Sequence, residues 1–434
     1  MDLGGYEAQD GGGPLGAIVR MKLLPLDPKP KLDLGVQMGG PLAGNIIFSS
    51  SGAFSQDKNS PLNKLRFEAS GASLFTALGL SPPVKTFIRN GRIELNYVGR
   101  LEYLASKRDK FKLTALVNEA FSQVPTSDAS AQFGFRQRQH DRQDLLIATW
   151  QRKGRKYFDK LNLSLVNGFY SETFKSTNAF NPFPIINGEE GAINSVSPKA
   201  SRFNYVFSAQ GDISRNLFRT HNLKAGFLSN IRPVRTSLSA FYYNANPRLT
   251  LETQLDPDTP VIPYAAPISP FTGTTVGPLL QGDVGKYKGF QYLQSAYIQD
   301  KWIPRTRFLK RFVLDAGARF DLYHGVFGNT MKVAEAIATI PEIGPFSLEP
   351  FKKQSVTDAQ VSGRFAGSYL LSKKTVLTGS FANTFQPPPV DIFVTAPEVG
   401  KGTINGIFNG TIRPLRATRG ILVDVGVDRQ IGPR

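Results

Sequence analysis

The chain has 434 residues, and its 52 Lys and Arg against 34 Asp and Glu give a formal charge of +18. The absence of cysteine excludes a disulfide framework, a thiolate zinc site, an iron–sulfur cluster and a cysteine nucleophile. At 41% hydrophobic and 20% charged it is too apolar to be disordered throughout, yet no stretch approaches the roughly 18 consecutive apolar residues of a membrane helix.

The first ten residues have neither a basic n-region nor an apolar h-region, so they do not read as a signal peptide. Gly11, Gly13 and Gly16 then spell G-x-G-x-x-G. A dinucleotide loop would need a buried strand before it and a helix after it. Here the preceding residues are mostly polar, Pro14 sits inside the motif, and Pro25 cuts off the stretch 17–24, so it reads as a glycine-rich turn.

From there on the period is two. Alternating runs lie at 32–38, 65–71 and 93–105. In the third, Ile93, Leu95, Tyr97, Leu101 and Tyr103 oppose Glu94, Asn96, Arg100 and Glu102. Further runs lie at 111–117, 145–150, 161–167, 203–212, 222–229, 236–243 and 294–302. The clearest is 312–323, where Phe312, Leu314, Ala316, Ala318, Phe320 and Leu322 share a face opposite Asp315, Arg319 and Asp321. The last runs are 362–371, 375–384 and 421–428. Alternation means strands exposed to two environments, and runs of ten or more match the roughly 9–11 residues of a tilted strand crossing a bilayer.

The connections are of two kinds. Ser372, Lys373 and Lys374 form a short hairpin turn, whereas 172–201, 244–290, 325–360 and 386–420 are long and rich in Gly, Pro and Asn. Short turns on one side and long loops on the other are the pattern of an outer-membrane barrel. A soluble β-sandwich or propeller would also alternate. The long strands, the charged polar face and the absence of a 40–50-residue repeat favour the barrel. The expectation is an all-β, antiparallel transmembrane barrel. Phe312, Leu314, Phe320, Ile93, Leu95 and Tyr97 should face lipid, and Asp315, Arg319, Asp321, Glu94 and Arg100 the lumen. Residues 244–290, with seven prolines that cannot donate to a ladder, should be the longest excursion on the outer face.

Nothing points to catalysis. His140, His221 and His324 are widely separated, and Glu189, Glu190, Asp256 and Asp258 sit in loops with nothing to position them. No catalytic, cofactor or metal site is expected, and the reading is not an enzyme. The positive charge has two readings. Arg136, Arg138, Arg152, Lys153, Arg155 and Lys156 could bind nucleic acid in a soluble basic β-sheet protein. Spread along the chain at strand boundaries, they fit lipid phosphates and lipopolysaccharide better, with no nucleic-acid partner.

QSAYIQDKW at 294–302 resembles a motif of TonB-dependent outer-membrane receptors. FVLDAGARFDLYHG at 312–325, VSGRFAGSYLLSKKTVLTGSFANTFQPPP at 361–389 and LRATRGILVDVGVDRQIGPR at 415–434 resemble successive barrel strands of that family, with Ala417 and Thr418 where Pro-Glu is usual. GGYEAQDGGGPLGAIVRMKLLP at 4–25 resembles the end of its plug domain. The resemblance implies a barrel of about 22 strands, of which roughly fifteen are legible here. It also implies 1–28 as the end of the plug, 29–434 as barrel, and a location in the outer membrane of a Gram-negative-type bacterium. Uptake of a large nutrient such as an iron–siderophore, cobalamin or glycan, energised through TonB, is implied by the same likeness. The expectation is a fragment of a longer receptor, not competent alone, with a passive porin-like pore as the alternative within membrane proteins. The ligand is not legible.

Overall fold

The computed structural model describes residues 25–39, 43–77, 91–123, 137–154, 156–176, 195–243, 278–306, 309–329, 354–388 and 416–431, with a few two-residue strand pieces elsewhere. Fourteen strands in them form one sheet. They are β1 (Lys31–Gly39), β2 (Ala43–Ala53), β3 (Leu65–Thr76), β4 (Arg92–Tyr103), β5 (Asp109–Gln123), β6 (Gln137–Lys153) and β7 (Lys160–Ser176). Then come β8 (Ser195–Leu217), β9 (His221–Tyr243), β10 (Pro278–Trp302), β11 (Phe312–Asn329), β12 (Gln354–Ser372), β13 (Thr375–Gln386) and β14 (Thr418–Arg429). Every strand pairs antiparallel with its neighbour in sequence. Among the described residues no pairing joins β1 to β14, so the sheet is open at those two edges. The only helical turn among them is the 3-10 segment Pro61–Lys64.

Fourteen strands stand where roughly fifteen were expected, for two opposite reasons. The runs 222–229 and 236–243 are one strand of 23 residues, β9. Pro233, which divides them in the sequence, sits inside the ladder. The β8–β9 pairs Asn204↔Val234 and Phe207↔Ile231 skip the residues between, because proline has no N–H to donate. In the other direction, β2 (AGNIIFSSSGA) has too few large apolar residues to show its alternation. The long connections are also shorter than the sequence suggests. Residues 278–290 belong to β10, 354–360 to β12 and 325–329 to β11. The remainder of 244–290, and Gly11 to Gly16, lie outside the described residues.

The sheet is inside-out relative to a soluble fold. Among the described residues the buried class holds twelve polar or charged side chains and eight apolar ones. Water-soluble cores reverse that balance. Phe320, Ile93 and Tyr97 are exposed on the convex face, while Arg319, Asp321 and Arg100 are buried on the concave one, as alternation expects. Leaving such an apolar convex face in water would cost about 25 cal/mol for each Å², whereas hydrocarbon imposes no such cost.

Aromatic residues bound the apolar band. Tyr103, Phe111, Trp150, Trp302, Phe312 and Tyr369 all point outward within four residues of a short turn. Phe111 stacks on Trp150 at 6.2 Å between ring centroids, and Phe312 packs tilted against Tyr369 at 4.5 Å. A second outward row, Phe75, Phe121 and Phe290, is exposed some ten residues further along the strands. At about 3.3 Å per residue and a tilt near 40°, the two rows are about 25 Å apart, the height of an outer-membrane apolar band.

Candidate ligand site on the concave face

The inward positions of β3–β5 and β10–β12 form two ionic networks. On the first, Arg100 pairs with Glu68 at 2.5 Å and with Glu102 at 3.6 Å, and Lys110 reaches Glu102 at 2.5 Å. On the second, Arg319 Nε donates to Asp321 Oδ1 at 2.8 Å, where Ser295 Oγ also donates at 2.6 Å. Gln299 donates to both oxygens of Asp315 at 2.8 and 2.9 Å. Glu94 pairs with Arg92. The structure therefore brings Arg319 to Asp321, Asp315 to Gln299, and Arg100 to partners of its own. Each strand places alternate residues inward, and neighbouring inward residues lie about 5 Å apart, within reach of ion pairing.

Toward the long connections the wall changes character. Pairing of β12 with β13 ends at Arg364↔Ala382, while β13 stays paired with β14 to Gln386↔Thr418. Freed from β12, this end of β13 turns over the concave face. Strict alternation would aim Phe385 outward with Phe381, yet Phe385 is fully buried against Tyr323 and Val356, with Leu293 and Ala417 packed alongside. Arg419 of β14 reaches Asp358, and Gln291 of β10 donates to the Pro388 carbonyl at 2.9 Å.

The result is a cavity of about 270 Å³ lined by Asn230, Arg232, Gln291, Leu293, Gln386, Pro387 and Pro388. Arg232 Nε donates to Asn230 Oδ1 at 3.3 Å, both beside the ladder gap at Pro233. Tyr323 is buried beside the cavity, packed against Leu293 of its lining. Gly325 makes room for it, since a Cβ there would lie 2.3 Å from the Tyr323 hydroxyl. One guanidinium, three carboxamides and a wall of two prolines and Leu293 suit an oxygen-rich anionic ligand.

The sequence-level candidates do not converge. His140 contacts Glu119 on β5, His221 contacts Asp300 on β10, and His324 contacts Thr357 on β12. Among the described residues no group of His, Asp and Glu could hold a metal ion. Glu189, Glu190, Asp256, Asp258, Arg136 and Arg155 lie outside the described residues. Arg232 and Gln291 escaped the sequence reading because the first lies beside a strand-breaking Pro233 and the second comes just after a stretch read as loop. An arginine directly before a lone mid-strand proline would have been the available signal.

A family model described as "TonB dependent receptor-like, beta-barrel" matches residues 87–432. No curated protein matches the chain. Among solved structures, the ferric citrate transporter FecA in its unliganded form is similar at a TM-score of 0.59 and 9% identity, over 93% of this chain and 50% of that one. The copper transporter OprC is similar at 0.61 and 9%, over 95% and 53%. The ferric-catecholate import receptor Fiu from E. coli K12 is similar at 0.61 and 10%, over 98% and 59%. At such identity the likeness is one of fold. The chain spans between half and three fifths of the length of these structures.

Proposed function

We infer the function from one premise: the chain belongs to the TonB-dependent receptor β-barrel family. That is a family of Gram-negative outer-membrane receptors and transporters rather than enzymes. The chain's own part is the wall of an uptake receptor. Residues 29–434 supply barrel and 1–28 the end of a plug, and the chain is part of a longer protein energised by TonB. Open edges at β1 and β14, whose unpaired N–H and C=O groups lipid cannot satisfy, support completion by further strands. A passive pore needs a closed ring, which the described strands do not make. Outer-membrane lipid and lipopolysaccharide surround the barrel, and nucleic acid has no part in its work.

The observation that carries the ligand reading is the inward turn of β13 over Arg232, Asn230 and Gln291. A cation among amide donors at the mouth favours an anionic metal chelate, such as an iron–siderophore, over a neutral glycan. The structural neighbours named for ferric citrate and ferric catecholate lend support by analogy alone. The test is uptake of labelled iron–siderophores by cells carrying the full-length receptor, with and without Arg232→Gln. Binding should weaken about tenfold, the worth of a charge-assisted hydrogen bond. Unchanged binding in the variant, or uptake of neutral glycans instead, would sink the ligand assignment.

A further inference from the structure

Strand bounds turn a diffuse positive charge into a localised one. Six connections lie at the short-turn end: +1 at 54–64, +2 at 104–108, +1 at 154–159, +1 at 218–220, +4 at 303–311 and +2 at 373–374, eleven in all over 36 residues. The seven at the opposite end carry +2 at 77–91, −2 at 177–194, −2 at 244–277, +1 at 387–417 and zero elsewhere, a net −1 over 138 residues.

The basic turns are held in place. Leu104 N donates to Lys64 O, Lys153 N to Arg108 O, Asp159 N to Ser214 O, Ile303 N to Thr220 O and Leu370 N to Arg311 O, at 2.7–3.0 Å, so each turn is tied to a neighbouring hairpin. Two of the acids present are engaged locally: Asp57 accepts from Asn59 N, and Asp159 from Asn216 N and Nδ2. The outward aromatic row lies directly beside these turns. Next to it a groove of about 700 Å³ opens on the convex face, lined by Tyr103, Phe111, Leu113, Trp150, Leu165 and Phe227. All but Trp150 of these are exposed. A row of cations carried on tied turns beside an apolar groove is complementary to a phosphodiester headgroup with its acyl chain.

We propose that the short-turn rim is a docking surface for anionic phospholipid of the periplasmic leaflet, headgroup phosphates on Lys107, Arg108, Lys153 and Lys156 and an acyl chain in the groove beside Trp150. The proposal rests on the membrane reading above, in which short turns face the periplasm. It assigns the excess charge to the phospholipid leaflet rather than to lipopolysaccharide, which meets the end whose connections sum to −1. Basic clusters at a bilayer surface enrich anionic lipid, and the enrichment is screened by salt.

The chain's two tryptophans, Trp150 and Trp302, both belong to the rim's aromatic row, so its fluorescence reports on this end alone. The experiment refolds the full-length receptor, with any tryptophan outside these two positions replaced by Phe, into phosphatidylcholine vesicles containing a fixed fraction of brominated phosphatidylglycerol or brominated phosphatidylcholine. Phosphatidylglycerol should quench about threefold more. The excess should vanish at roughly 1 M salt, where charges are screened within about 3 Å. It should vanish also in the Lys107→Gln, Arg108→Gln, Lys153→Gln, Lys156→Gln variant. Equal quenching by both lipids would overturn the docking surface and leave the barrel standing. No quenching by either, with the β spectrum intact, would overturn the membrane reading itself. Should the variant not fold, the salt series on the unaltered chain decides.

Discussion

The two ends of this sheet are built from the same strands and behave as different materials. At the short-turn end, connections of two to eleven residues carry a net +11 and are joined hairpin to hairpin by backbone hydrogen bonds. At the other end most connections run from 13 to 34 residues, the net charge is −1, and the described wall is recognisable by its departure from regular pairing. A short turn leaves its basic side chains no choice but the sheet's rim. A strand that outlives its pairing partner, as β13 does beyond Ala382, can turn over the concave face and enclose a cavity. The basic rim and the cavity thus lie at opposite ends of the strands.

The strongest way to break the comparison is to remove that common wall. Arg319→Ala leaves Asp321 buried at 1% exposure without its guanidinium. An unpaired buried charge costs about 3–5 kcal/mol, so both ends should fail together, seen as a lowered urea midpoint in refolded vesicles. A normal midpoint would mean water reaches Asp321.

Phe385→Ala should spoil one end only. Emptying the site between Tyr323 and Val356 costs about 3 kcal/mol, and ligand binding should fall with it. The emission of Trp150 and Trp302 at the far rim should stay where it is. A shift in that emission would show that the two ends are coupled.

Gly325→Val sharpens the same point from beneath. Its Cβ would meet the Tyr323 hydroxyl at 2.3 Å. The buried ring must shift, at about 1–3 kcal/mol, and its packing against Leu293 of the cavity lining should be disturbed. A second change, Tyr323→Phe, removes the clashing oxygen and should restore part of the stability measured by urea.

The smallest effect belongs to the rim. Asp159→Ala deletes two hydrogen bonds to exposed Asn216. It should cost about 1 kcal/mol and leave siderophore uptake unchanged, while loosening the basic turn at 154–159. Hydrogen exchange of the Asn216 amide is the measurement, and undiminished protection would show the turn to be held by other bonds.

The sequence by itself determined the strands, their faces and the character of the wall. Period-two alternation depends only on a strand having two sides, so Phe320 outward and Arg319 inward could be read without knowing any partner. The resemblance at 294–389 added the family, because those residues stand in a fixed order along the chain. What only the tertiary structure decided depends on where pairing starts and stops. Pro233 reads as a break, yet β9 passes through it, because β10 stays paired along Arg232 and Pro233 while the pairing with β8 skips them. Alternation continued past 384 would turn Phe385 to lipid, yet it is buried, because β13 outruns β12. The basic residues look scattered along the chain because the turns holding them are far apart in sequence. Antiparallel folding brings those turns to one rim, and distance along the chain carries no record of that convergence.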